Sequence, residues 1–339
     1  MEILHVDTER GFRGGQAQLL YLARATRHRC GIALPPDAQL ASRLSAEGIA
    51  SFSVPFRGRL GGGRALGRWI EQLSPALVAA HTSHAAAHLD RLGIRAVVHR
   101  RLDFPPSRAG RRRLDRCLGI VAVSGAVARI LRCGGIHAPI SVVYDGIGEQ
   151  APGRGVDPRS LLGLAPGTPL VVAIGALVPH KGHRHLVDAL ALLPGVHVAI
   201  LGQGPLWSAL LRRARALGIG ARLHLCGQRD DVGDWLAGCD VVCHPSVEEG
   251  LGQSVIEALL AGCAVVATRA GGIPEVVEGL GILVPPRRSA PLARALRCAL
   301  AQPGALRRGA RRARGELLHR FGIEAMVEGT ERAYARFLG

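Results

Sequence analysis

The 339-residue chain contains a single lysine, Lys181, together with two methionines and only 4% aromatic residues. Because large aromatic side chains are scarce, the cores have to be built from Leu, Val, Ile and Ala, which suits parallel strands buried between helices. No apolar run approaches the ~18 residues that a membrane-spanning helix needs. The N-terminal residues lack the basic segment and long apolar run of a secretion signal, so we expect neither a spanning helix nor export.

The eight cysteines include no Cys-x-x-Cys pair. In a chain of this length without an export signal, this pattern indicates free thiols in a reducing cytoplasm. Cys239, Cys243 and His244 form the one cluster that suggests a metal, but it lacks the second ligand pair of a zinc site. The sequence therefore predicts a cytoplasmic protein with no metal.

The formal net charge is +17, from 43 basic and 26 acidic residues. A positive field of this size favours anionic partners such as phosphates, acidic glycans or lipid headgroups, and nucleic acid only in a nonspecific way. The arginine-rich segments 111–113 and 307–314 have two interpretations, which are a solvated helix face and a peripheral contact with the inner face of a membrane.

The length predicts two domains of ordinary size. Short apolar runs alternate with helical patterns, as in residues 3–6 before 16–27 and residues 241–244 before 253–261, and this alternation indicates parallel α/β sheets. The glycine-rich segment 145–155 lacks an apolar period and reads as a linker. We expect one domain over residues 1–150, a second over 151–320, and a C-terminal helix in 321–339 that packs back on the first.

The sharpest motif follows the predicted strand 241–244. Gly250 and Gly252 expose the backbone where a helix begins, so the amides of residues 251–254 can face a diphosphate. Glu249 precedes that helix and Glu257 lies two turns along it. Two carboxylates beside a phosphate are tolerable where each accepts hydroxyl hydrogens from a sugar or ribose ring, so the motif indicates a sugar nucleotide. The alternative is a glutamate that only stabilises the helix dipole.

A second glycine-rich turn, Gly14–Gly15, follows the strand at residues 3–6 and opens a helix. Free N–H groups at a helix start can bind a phosphate or a sugar hydroxyl, although the same two glycines also suit an ordinary turn.

Residues 246–262 resemble the E-x7-E signature of the retaining nucleotide-sugar glycosyltransferases of family 4. Residues 174–182 and 201–205 are similar to that family's phosphate-contacting strand ends, and residues 228–232 to its loop beside the base. The resemblance covers roughly residues 1–285. It implies the GT-B fold, in which two doubly wound, Rossmann-like domains face each other across a cleft.

The resemblance also implies residue roles. Glu257 would hold the ribose and Glu249 the hydroxyls of the donor sugar, while Lys181 and the amides after Gly250 would bind the diphosphate. His99, at the end of a strand, would contact the donor sugar, against the alternative of a purely structural histidine. The predicted catalytic set is His99, Glu249 and Lys181, and the predicted donor-binding set is Gly14, Gly15, Gly175, Lys181, Gly202, Arg229, Gly250, Leu251, Gly252 and Glu257.

One position departs from the family pattern. Ala176 stands where relatives often carry an arginine that shares the charge of the diphosphate. Arg184, Arg229 or an arginine of the opposite domain are candidate substitutes, and low activity is the other outcome.

These features predict a metal-independent, retaining transferase. It would move a sugar from a nucleotide diphosphate sugar to a glycan, lipid-linked or small-molecule acceptor of the cell envelope, with no cofactor besides the donor. A lysine and a helix N-terminus can stabilise the leaving diphosphate without a metal. Two alternatives stay open, which are a nucleotide-sugar epimerase on the same fold and a noncatalytic, basic polyanion-binding protein.

Overall fold

The computed structural model describes residues 1–56, 61–148, 153 and 155–339. The chain divides into two compact units, of which unit 1 comprises Met1–Gly146 with Phe321–Gly339 and unit 2 comprises Ile147–Arg320. The units thus divide after Gly146, whereas the predicted boundary between residues 150 and 151, and part of the predicted linker, lies outside the described residues.

Unit 1 contains a seven-stranded parallel sheet with the strand order β3-β2-β1-β4-β5-β6-β7. Its central strands are short runs of Val, Ile, Leu and Ala that are buried because helices cover both faces of the sheet. The strands are β1 Glu2–Val6, β2 Arg29–Leu34, β3 Ala50–Ser53, β4 Leu77–Ala80, β5 Val97–Arg100, β6 Gly119–Ala122 and β7 Ile140–Val142.

Seven helices accompany this sheet: α1 Gly14–Ala25, α2 Gln39–Ala46, α3 Gly61–Leu73, α4 Ser83–Arg91, α5 Arg108–Arg116, α6 Gly125–Cys133 and, from the end of the chain, α16 Ile323–Leu338. Tyr334 and Phe337 of α16 join Ile3, Val97 and Val121 of the sheet in one apolar cluster. The C-terminal helix is therefore part of the core of unit 1.

Unit 2 contains a six-stranded parallel sheet with the order β10-β9-β8-β11-β12-β13. Its strands are β8 Leu170–Ile174, β9 His197–Leu201, β10 Leu223–Gly227, β11 Val241–His244, β12 Ala264–Thr268 and β13 Ile282–Val284. Its α-helices are α7 Pro158–Leu161, α8 His183–Leu190, α9 Trp207–Ala216, α10 Val232–Gly238, α11 Gln253–Leu260, α12 Ile273–Val277, α13 Ser289–Ala301, α14 Pro303–Arg312 and α15 Arg314–Phe321.

The strand order of unit 2 reverses direction between β8 and β11, which pair through Val171 with Val241 and Val172 with Val242. Connections leave such neighbouring strands toward opposite faces of the sheet, so a crevice opens at their carboxyl ends, where ligands of doubly wound sheets bind. The predicted α/β class, with two doubly wound parallel sheets, is confirmed. No helix in the described part of the chain is both long and apolar enough to cross a membrane.

Candidate functional site

The candidate site of unit 2 is built on two loops that leave β8 and β11. The first loop runs through Gly175 and Ala176 into a turn of 3-10 helix at Pro179–Lys181. The second covers residues 245–252 and leads into α11. The backbone N–H of Val247 donates to the carbonyl of His180 at 2.7 Å, so the two loops are joined directly.

Lys181 and Glu249 meet across these loops. Lys181 Nζ donates to Glu249 Oε2 at 2.5 Å, and the two side chains are only 21% and 14% exposed. Partial burial strengthens such a pair relative to one in open solvent. The structure thus brings together two of the three residues predicted to be catalytic.

Further donors converge on the same carboxylate oxygen. His244 Nε2 lies 2.9 Å from Glu249 Oε2, and Ser246 Oγ donates to that oxygen at 3.2 Å. Burial alone would raise the pKa of Glu249, but the hydrogen bond from His244 and the charge of Lys181 together lower it well below its ordinary value. Glu249 is therefore a carboxylate throughout the physiological range.

Helix α11 begins beside this pair. Its N-cap is Gly252, whose φ of 98° is left-handed and strained for any residue with a Cβ, and a glycine brings no capping side chain of its own. Leu251 and Gly252 are both buried, and Gly250 before them is half-buried. Binding of a diphosphate by the amides of these three residues at the positive end of α11 stays a prediction.

Glu257 lies on α11, five residues after Gly252. Burial raises its pKa to about 7, because it disfavours the charged form of the carboxyl group. Hydrogen-bond donors would stabilise that charged form. Vicinal hydroxyls of a ribose are donors of the required kind.

Gly175 and Gly202 are needed for the packing of the strand ends. Gly202 N donates to the carbonyl of Gly227 at 2.7 Å, and Gly175 N donates to that of Leu201 at 3.0 Å. A Cβ on Gly202 would overlap the carbonyl oxygen of Gly175. Close approach of two backbones therefore accounts for Gly202, and ligand binding by either glycine stays a prediction.

Arg229 is engaged within its own loop. Its Nε and one terminal nitrogen donate to Asp231 at 2.8 and 2.5 Å, and its guanidinium lies 5.7 Å from the ring of Trp235. An arginine held by its own carboxylate carries little net charge toward a diphosphate. Arg184, the other candidate in this unit, is exposed.

The remaining predicted residues belong to unit 1. Gly14 and Gly15 are the first two residues of α1, and a Cβ on Gly15 would meet nothing within 4 Å, so this backbone is open. Gln16 fixes the turn, because its amide donates to the buried Asp7 at 2.9 Å while its carbonyl oxygen accepts from Arg13 N at 3.2 Å.

His99 lies in a buried stack. Its ring centroid is 4.2 Å from that of His81, its Nε2 is 2.7 Å from the hydroxyl of Tyr334, and it is 7% exposed. Burial, with a smaller effect from the charge of Arg101, holds the pKa of His99 well below its ordinary value, so the ring is neutral. This is the environment of a structural histidine, and contact with a donor sugar stays a prediction.

Sequence reasoning missed three residues that organise these sites. The sequence motifs indicate His244 only as a metal ligand and Ser254 only for its backbone amide, and no motif includes Tyr334. Ser254 Oγ lies 3.2 Å from His244 Nδ1. For His244 the sequence does carry a signal, since a polar residue at the last position of an apolar strand indicates a side chain of the site. In the described residues, no group of three or more His, Cys, Asp or Glu side chains could hold a metal ion.

Comparisons with known proteins fit this geometry. Residues 168–302 match the family model described as "Glycosyl transferases group 1". The lipopolysaccharide core biosynthesis glycosyltransferase LpsE of Rhizobium meliloti is 36% identical over 114 residues, which are 34% of this chain and 34% of LpsE. The 2-deoxystreptamine glucosyltransferase of Streptomyces kanamyceticus is 29% identical over 241 residues, 67% of this chain and 62% of that enzyme. The chain thus aligns with less than two thirds of the length of these relatives.

A solved structure matches the whole chain. HepE of Anabaena, in complex with UDP and glucose, superimposes with a TM-score of 0.85 at 25% identity and covers 99% of this chain and 100% of HepE. Together with the two doubly wound sheets, this match defines a GT-B fold. The family match over residues 168–302, the relatives and the fold together support a GT-B group 1 glycosyltransferase. The resemblance inferred from the motifs is confirmed at that level, while assignment to family 4 and retention of configuration stay predictions.

Proposed function

We propose that the protein is a retaining glycosyltransferase that takes a sugar from a UDP-sugar. The observation that carries the proposal is the arrangement in unit 2, where the Lys181–Glu249 ion pair, the start of α11 and the buried carboxyl group of Glu257 lie in the loops and the helix that follow β8 and β11. The presence of UDP and glucose in the HepE complex supports the choice of uridine.

In this mechanism Lys181 and the first amides of α11 bind the diphosphate. Breaking the bond between the sugar and the phosphate places negative charge on the leaving diphosphate, and both groups stabilise that charge. Glu257 accepts hydrogen bonds from the ribose, and Glu249 from a sugar hydroxyl. We further propose that no metal takes part, so a chelator should leave turnover unchanged.

Retention of configuration follows from attack and departure on one face of the sugar, with the leaving phosphate oxygen accepting the proton of the acceptor. This route needs no separate carboxylate as a general base. The anomeric configuration of the product, read by NMR coupling constants, tests it, and an inverted product would contradict it.

For the acceptor we propose a glycan of the cell envelope, built at the cytoplasmic side. The support is the similarity to LpsE together with the positive charge of the chain. Helix α5 adds exposed arginines that could face an anionic membrane. Sedimentation with anionic and with neutral vesicles separates membrane contact from a solvated helix face.

The first experiment is thermal unfolding with UDP, GDP and ADP. One nucleotide should raise the melting temperature, because a ligand that binds only the folded state stabilises it. Lys181→Ala and Glu257→Ala should each remove that shift, while an exposed control such as Arg297→Ala should keep it. No shift with any nucleotide, combined with salt-sensitive binding to a polyanion, would instead support the polyanion-binding alternative. Conversion of a UDP-sugar to its epimer without transfer would support the epimerase.

A further inference from the structure

His244 is a buried residue at the carboxyl end of β11, and it connects two parts of the site. The side chain is 3% exposed. Its Nε2 lies 2.9 Å from Glu249 Oε2 and its Nδ1 lies 3.2 Å from Ser254 Oγ, while Ser246 Oγ is 3.0 Å from the same Nε2. A carboxylate can only accept, whereas a serine hydroxyl can donate. A neutral ring with its proton on Nε2 therefore satisfies both Glu249 and Ser254.

The surroundings keep the ring neutral. Burial lowers the pKa of His244, and the positive charge of Lys181 acts in the same direction, although the hydrogen bond and charge of Glu249 oppose them. A neutral imidazole has one donor and one acceptor, and both are engaged here. The ring orientation is therefore fixed at both ends.

These contacts form a series that runs from Ser254 through His244 and Glu249 to Lys181. Ser254 is the second residue of α11 and Lys181 ends the 3-10 turn after β8. The series thus links the two elements that could bind a diphosphate. An ammonium group has three N–H donors, so Lys181 can contact Glu249 and still offer donors to a phosphate.

We propose that His244 is a positioning residue for the nucleotide diphosphate. By holding Glu249 against Lys181, it fixes the lysine Nζ relative to the first turn of α11. His244 acts through Glu249 and does not itself touch the ligand. The inference rests on the proposed function, because it assumes that Lys181 and α11 bind a diphosphate.

The test compares three variants by calorimetric titration with UDP. His244→Leu removes both hydrogen bonds and should weaken UDP binding at least tenfold. His244→Gln keeps a donor toward Glu249 and an acceptor toward Ser254, so its affinity should stay within threefold of the unmodified protein. His224→Leu is a matched change in β10, where His224 Nε2 lies 3.0 Å from His197 Nδ1, and it should leave affinity unchanged.

A double-mutant cycle separates positioning from a general loss of packing. If His244 acts through Glu249, then adding His244→Leu to Glu249→Gln should weaken UDP binding by less than twofold beyond Glu249→Gln alone. Independent, multiplicative losses would overturn the proposal. If His244→Leu does not fold, Ser254→Ala is tested in its place. This variant removes the contact of Ser254 with His244 and should weaken UDP binding two- to fivefold. An unchanged UDP affinity would refute the positioning role of His244.

The outcomes distinguish this inference from the proposed function. Failure of the unmodified protein to bind UDP, GDP or ADP would overturn both. Normal UDP binding by the unmodified protein and equally by folded His244→Leu would overturn only the role of His244.

Discussion

Lys181 Nζ lies 2.5 Å from Glu249 Oε2, although the two residues are 68 positions apart in the chain. The contact joins the turn after β8 to the loop after β11 at the reversal point of the sheet. A partly buried pair of this kind is costly to break from one side, because the remaining charge stays in a poorly solvated place. Stability and ligand binding should therefore both depend on it.

The first prediction concerns the stability contributed by Glu249. Glu249→Gln should lower the free energy of unfolding at pH 7 by roughly 2 to 3 kcal/mol, because Lys181 loses its counter-charge. The pKa of Glu249 is lowered on folding from an ordinary value of 4.5, so its stabilisation is complete above pH 4.5 and is lost as the pH falls further. Urea unfolding of both proteins at pH 7, 5 and 4 measures the difference.

The difference between the two proteins should be equal at pH 7 and pH 5 and smaller at pH 4. Arg332→Gln, which removes an exposed i, i+4 pair with Glu328, serves as the control and should change stability by less than about 0.5 kcal/mol. A Glu249→Gln protein as stable as the original at pH 7 would contradict the assignment of a stabilising pair.

The second prediction couples nucleotide binding to proton release by Glu257. Burial raises the pKa of this carboxyl group to about 7 in the empty protein, whereas hydroxyl donors from a ribose favour its charged form. Binding should therefore release a proton near pH 7, and UDP affinity should rise between pH 6 and pH 8 by up to about tenfold per unit below pH 7. Calorimetry in two buffers of different ionisation enthalpy counts the protons.

Glu257→Gln is the matched control for that measurement, because it preserves shape and removes the titration. The pH dependence of UDP binding that remains in Glu257→Gln arises from the nucleotide and from other groups. The contribution of Glu257 is therefore the difference between the unmodified protein and this variant. The same substitution should stabilise the empty protein at pH 8, where a buried charge is removed. Identical proton counts for the two proteins would mean that Glu257 does not contact the ligand.

The sequence predicted the local features of this site better than the long-range ones. The apolar runs and helical periods predict both sheets correctly, because the apolar pattern within each strand or helix shows which of its residues are buried. The E-x7-E spacing likewise places Glu249 in the loop before α11 and Glu257 on the second turn of that helix. Contacts such as His99 with Tyr334, 235 residues apart, depend on how separate elements pack, and no local pattern encodes them.

His244 illustrates the same limit from another side. Its position at the end of an apolar strand was visible, but its partners came from the loop and from α11, and only the folded site shows that one ring bridges them. Arg229 is the converse case. The motif identifies its loop, but the ion pair of its guanidinium with Asp231 depends on how that loop folds.

The third prediction concerns the acid stability of unit 1. His5, His81 and His99 are buried together, with His5 Nδ1 2.9 Å from His81 Nε2, and burial lowers the pKa of all three from 6.5, for His5 to about 3. A histidine whose pKa is lower in the folded than in the unfolded protein contributes its full stabilisation of the folded state above pH 6.5. That contribution is lost as the pH falls further. Stability should therefore decline by up to about 4 kcal/mol per pH unit below 6.5, from three groups together.

Urea unfolding between pH 7.5 and 5 measures that slope, followed by a signal from Tyr334 or from far-UV circular dichroism. The slope of unfolding free energy against pH reports how many protons are taken up on unfolding, and His81→Gln should reduce that number by about one. His137→Gln, at an exposed position in the same unit, should leave it unchanged. A slope that is the same in both variants would show that the buried stack does not control acid unfolding.

The last prediction addresses Ala176, which follows Gly175 at the end of β8 and is exposed. An exposed position gives an introduced arginine room to extend without displacing the core, and Lys181 in the following turn is already paired with Glu249. Ala176→Arg should therefore tighten UDP binding by about tenfold, equivalent to one charge-assisted contact of about 1.4 kcal/mol.

Ala176→Gln, similar in reach but uncharged, is the control and should change UDP affinity less than threefold. The gain in affinity of the arginine variant should shrink as the salt concentration rises. Equal affinities for the arginine and glutamine variants would mean that position 176 does not face the diphosphate.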